Sequence, residues 1–157
     1  MKLFYHCFGG AHTSITCAAI HLGYLPMDRI PDCREFIAVP HYDKMEDKNR
    51  GTPIYIGRDE LGIDIYAIGL KNACHIMIPA IKSYLNVNNI QPKDILFVES
   101  LVKLHPITSI GGFLSRKLNL VSVGRPLTIW GIRRRYSVFV EIVSGVKESL
   151  YRHIGIS

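Results

Sequence analysis

The chain has 157 residues, of which 48% are hydrophobic and 20% charged, with a formal net charge of +6. This balance excludes an unfolded polar chain, and the length suits one domain, 1–157, with its own core. No apolar run approaches the ~20 residues needed to cross a bilayer, so no membrane partner is expected.

The chain opens with Lys2-Leu3-Phe4-Tyr5-His6-Cys7, an apolar and aromatic run that reads as a strand. Gly9-Gly10 follows, then Thr13 and Ser14, hydroxyl residues suited to capping a helix. Ile15, Ala18, Ala19 and Leu22 fall at i, i+3, i+4, i+7 and predict one buried helical face. His21 lies away from that stripe and reads as a surface residue, whereas His6 reads as packed. Gly9, Gly10 and His12 interrupt the first apolar run too early for a signal peptide, so a cytoplasmic protein is expected.

Pro26, Pro31 and Pro40 punctuate an irregular stretch in which Asp32 caps a short helix through Ile37. The mixed-charge run from Asp43 to Arg50 reads as a solvated loop, of a length and charge that also suit a flap beside a ligand. Pro53–Ile56 and Ile63–Ile68, separated by a polar turn bracketed by Gly57 and Gly62, predict a β-hairpin. Ala73, Ile76, Met77, Ala80, Ile81 and Tyr84 form a helical stripe that Pro79 either kinks or restarts. Ile95-Leu96-Phe97-Val98 is a continuous apolar run, expected to be a central strand covered on both faces. A third helix is expected around Ile110, Phe113, Leu114 and Leu118. Leu120–Val123 and Leu127–Trp130 read as short β segments around a Gly124-Arg125-Pro126 turn. A last helix runs from about Arg135 to Arg152, its inner face formed by Phe139, Ile142, Val143, Val146 and Leu150. Alternating strands and helices predict an α/β three-layer sandwich with a partly parallel sheet plus a β-hairpin.

The chemistry concentrates at the first glycine loop. A strand, a glycine turn and a helix N-terminus in succession present free backbone N–H groups at the positive end of a helix dipole. The Walker pattern is absent because no lysine precedes Thr13 or Ser14, and the dinucleotide fingerprint GxGxxG is absent too. Cys7, five residues, then Thr13-Ser14 ahead of a helix resembles the phosphate loop of cysteine-dependent phosphatases, in which the cysteine is a thiolate nucleophile. Here Thr13 occupies the position of that family's arginine, so its bidentate phosphate clamp is missing. The loop without the nucleophile remains an anion cradle of Gly9, Gly10, Thr13 and Ser14, with His12 placed as acid, base or ligand contact. A second glycine loop, Ser109 to Gly112, follows the Ile95–Val98 strand, and parallel strands would turn both loops toward one crevice. Ser109, Gly111 and Gly112 are therefore candidate ligand contacts, with Arg116 and Arg125 as candidate counter-charges. Cys7, Cys17, Cys33 and Cys74 show neither disulfide nor metal-ligand spacing, so no metal is assigned, and no cofactor is identified.

Tyr5 to Ser14, Ala18 to Leu22 and Gly111-Gly112-Phe113-Leu114-Ser115-Arg116 together resemble a small bacterial family of unknown function, found mainly in Gram-positive, often spore-forming lineages. That resemblance implies a cytoplasmic single-domain protein and no activity. The residues themselves lead to an expected role in binding a phosphorylated or anionic small ligand, a nucleotide included, with hydrolase or transferase chemistry open. The alternative is a non-enzymatic regulatory module that uses Arg133–Arg135 against a protein or nucleic acid.

Overall fold

The structure, a computed structural model, describes residues 1–44, 49–91, 94–100 and 121–155. Its strands are β1 (Lys2–Cys7), β2 (Ile54–Arg58), β3 (Asp64–Gly69) and β4 (Ile95–Glu99). Its helices are α1 (Thr13–His21), α2 (Cys33–Ala38), α3 (Cys74–Val87), α4 (Val121–Arg133) and α5 (Tyr136–Ile154). The four strands form an open mixed sheet in the order β2-β3-β1-β4. β1 runs parallel to both β3 and β4, while β2 and β3 form the expected antiparallel hairpin. This is an α/β fold with a partly parallel sheet.

The core lies on one face of the sheet. Leu3 and Tyr5 of β1 and Ile65 and Ala67 of β3 point into it, beneath α1. Every residue of α1 is buried, because α5 closes over the side that the sheet leaves open. The composition of α1 explains how it fits between two layers: Ser14, Thr16, Cys17, Ala18 and Ala19 are small, and none of its residues is acidic or a lysine or arginine. Phe139, Val143 and Leu150 of α5 are buried against it, with Ile142 and Val146 packed at the margin. α2 begins where expected, with an Asp32–Glu35 capping box in which Asp32 accepts from the Glu35 amide and Glu35 from the Asp32 amide.

Several expectations are corrected. Leu127–Trp130 is helical, not β, and the Gly124-Arg125-Pro126 turn lies inside α4. Thr128, Ile129 and Ile132 are buried at helical spacing, and that burial outweighs the one ladder bond lost at Pro126. β4 is half-buried and stands at the end of the sheet among the described residues, whereas β1 is flanked on both sides. A run of apolar residues records burial, but not which strand lies beside it. α3 continues through Pro79 as one helix. The expected third helix lies outside the described residues, as do Ser109, Gly111, Gly112 and Arg116.

Candidate functional site

The C-terminal ends of the parallel strands converge on the loop between β1 and α1. β1 is followed toward β3 on one side and has β4 on the other, so the loop leaves the sheet where strand order reverses, the usual location of ligand crevices in such sheets. The loop closes against the end of β3 by backbone contact. Gly10 has φ +73°, and a Cβ there would lie 2.6 Å from the Gly69 nitrogen. A Cβ on Gly69 would lie 2.7 Å from the Gly9 carbonyl carbon. The amides of Leu70 and Lys71 donate to the carbonyls of Cys7 and Phe8 at 2.9 and 3.0 Å, tying the same two segments together. On the other side, the amide and hydroxyl of Ser100 both donate to the His6 carbonyl, at 2.9 and 2.8 Å.

Inside the loop, the Gly10 amide donates to Cys7 Sγ at 3.1 Å, and Ser14 Oγ lies 3.3 Å from the same sulfur. The cysteine and the second hydroxyl residue, seven positions apart, therefore meet face to face. Thr13 and Ser14 do not cap α1: the N-cap is His12, whose side chain makes no capping hydrogen bond, while the Thr16 hydroxyl donates to the His12 carbonyl at 2.9 Å. The helix dipole thus ends at the loop without a side-chain acceptor. Cys7, Gly9, Gly10, Thr13 and Ser14 are buried, His12 is half-buried and Phe8 is exposed.

His12 has a partner that sequence reasoning missed. Its Nε2 lies 2.8 Å from Asp43 Oδ1, and Asp43 Oδ2 accepts from Arg125 Nε at 3.4 Å. The Asp43 side chain is fully buried, although the residue opens a dense charge run. Its backbone sits at φ +55°, a region that aspartate enters more readily than most side chains, and its amide donates to the Ala11 carbonyl at 3.1 Å. A carboxylate on one imidazole nitrogen fixes the ring's orientation and tautomer, which suits His12 to proton transfer or directed hydrogen bonding. The structure thus brings together Cys7, Gly9, Gly10, Thr13 and Ser14 on one loop, and joins His12 to Arg125 through Asp43.

The other end of α1 is anchored by a second buried network. Tyr5 Oη lies 2.9 Å from His21 Nδ1, and His21 Nε2 lies 3.0 Å from Asp59 Oδ2. Asp59 Oδ1 also accepts from the amides of Leu61 and Ile63, at 2.9 and 2.8 Å, holding the β2–β3 turn. His21 is 1% exposed, so its expected surface position is overturned: α5 covers the flank of α1 that periodicity alone leaves to solvent. Burial pushes the His21 pKa down, against an opposing pull from the Asp59 hydrogen bond. Burial likewise lowers His6 and raises the Tyr5 phenol and the Cys17 thiol.

Among the described residues no cluster of three His, Cys, Asp or Glu side chains is placed to hold a metal ion. Among them, too, no helix is long and apolar enough to cross a membrane. No curated protein and no solved structure matches the chain. One family model does match, over residues 2–148, and the chain belongs to that family, described as a protein of unknown function (DUF3189).

Proposed function

We propose that the β1–α1 loop binds the anionic group of a small ligand, a phosphorylated metabolite or nucleotide being the expected class. The observation that carries this reading is the convergence of the Gly10 amide and the Ser14 hydroxyl on Cys7 Sγ, at 3.1 and 3.3 Å, beside a helix N-terminus that no described side chain caps. Polar groups gathered at the positive end of a helix dipole favour a bound anion. His12, oriented by Asp43, stands at the N-cap of this helix, and Arg125 adds positive charge across the same carboxylate. Thr13 and Ser14 are buried, and His12 keeps 12% of its side chain exposed beside them. The same arrangement equips the loop for hydrolysis or transfer, with Cys7 as nucleophile and His12 as acid, although the arginine clamp of cysteine phosphatases is replaced by Thr13.

The test is thermal unfolding of the purified protein against phosphate, sulfate, nucleotides and phosphorylated sugars. A ligand that binds the native state raises stability by RT ln(1 + [L]/Kd), so a saturable upward shift is expected. His12→Ala or Thr13→Val, still folded, would lose it. A panel without any shift, or shifts unchanged in both variants, would overturn the reading.

A further inference from the structure

A separate cleft of about 370 Å³ lies between the chain that follows α1 and the junction of α4 with α5. Met27, Ile30 and Val140 supply apolar walls, while Arg133, Arg134 and Ser137 supply polar ones. Arg29, Arg58, Arg125 and Arg152 each face a carboxylate within salt-bridge distance. Among the described residues, Arg133 and Arg134 face none, and the buried Arg133 Nε has no hydrogen-bond partner. Arg133 and Arg134 both line the cleft, so their guanidinium groups offer donors and positive charge to an acceptor brought by a ligand. Arg134 is held in place by stacking on Trp130, its guanidinium carbon 4.2 Å from the ring centroid. α5 also begins at this cleft with Arg135 as an uncapped N-cap and no acidic residue in its first turn, so its dipole adds to the arginines.

We propose that this cleft binds a small amphipathic anion: an apolar or aromatic body carrying a single sulfonate, phosphate or carboxylate. The volume falls in the range of small-molecule sites, and the mixture of apolar walls with a few converging donors is their usual composition. Asp28 and Glu141 line the same cleft. Their charge admits one anionic group and opposes a second, which selects against a polyanion such as nucleic acid.

The probe is 1-anilinonaphthalene-8-sulfonate, an aryl sulfonate whose fluorescence rises in apolar surroundings, titrated into the full chain at neutral pH. Near-ultraviolet circular dichroism and cooperative urea unfolding establish that each variant is native. The expected result is saturable single-site binding that weakens at least about 5-fold in Arg133→Gln and in Ser137→Glu. Ser137 is exposed in the first turn of α5, where a glutamate favours the helix, so this variant places negative charge in the cleft without threatening the fold. Arg152→Gln, away from the cleft, leaves binding unchanged. Non-saturable binding, or wild-type affinity in both Arg133→Gln and Ser137→Glu, overturns the proposal. Displacement of the dye by a single-stranded oligonucleotide with steep salt dependence also overturns it, in favour of a polyanion surface.

Discussion

Asp59→Ala tests how α1 is held, and therefore how the loop at its other end is positioned. The substitution removes the acceptor of three donors at once: His21 Nε2 at 3.0 Å, the Leu61 amide at 2.9 Å and the Ile63 amide at 2.8 Å. A buried donor left without a partner costs about 1–3 kcal/mol. His21 and Ile63 are 1% and 2% exposed and take the full penalty, while half-buried Leu61 recovers part of it from water. The sum is a destabilisation of about 3–5 kcal/mol, a large fraction of the ~5–15 kcal/mol that holds a typical domain. Asp59→Asn keeps an oxygen for both amides. Its amide nitrogen can donate to His21 Nε2 once the imidazole proton moves to Nδ1 and is donated to Tyr5 Oη. The expected loss is then about 1 kcal/mol. Urea unfolding at pH 7.5, with the slope m checked for constancy, measures both. A loss below about 1 kcal/mol in Asp59→Ala, or equal losses in the two variants, would refute the assignment of Asp59 as the shared acceptor.

Stability is expected to fall on the acid side. Burial lowers the native pKa of His21 and His6 below the ordinary 6.5, so the unfolded chain binds more protons as pH drops. The contribution is fully present above about pH 7 and is lost as pH falls through 6.5 toward the native values. Urea midpoints between pH 8 and 5 read this, and a His21→Gln variant flattens part of the slope. Gly10→Ala and Gly69→Ala are each expected to destabilise by about 1–3 kcal/mol, because both Cβ atoms would meet backbone within 2.7 Å. Gly145→Ala, inside α5 with open space around its Cβ, is expected to stabilise by about 0.5–1 kcal/mol in the same assay. In thiol labelling of the native protein, exposed Cys33 reacts first and Cys17 stays silent until unfolding; rapid labelling of Cys17 would contradict its burial.

The elements legible in the sequence are those specified locally. The Asp32 cap sets the start of α2, the polar turn ending at Gly62 sets the hairpin, although β2 runs on through Gly57 to Arg58, and the stripe from Phe139 to Leu150 sets α5. What was misread depends on neighbours far along the chain. Gly124 and Pro126 are breakers by local chemistry, but α4 is fixed by what Ile129 and Ile132 pack against. β4 is apolar enough for a central strand, yet pairing places it beside β1 at the end of the described sheet. The Cys7–Ser14 meeting was foreshadowed by spacing on either side of a glycine turn. Asp43 was not, because nothing in a run of mixed charge singles out the carboxylate that folds inward onto His12.

The most direct test of the loop's role is a two-dimensional amide NMR titration of isotope-labelled protein with inorganic phosphate. The account predicts saturable shifts centred on the amides of Gly9 to Ser14 and absent in the folded His12→Ala variant. Unmoved amides across that loop, or shifts confined to Arg133–Ser137, would contradict it.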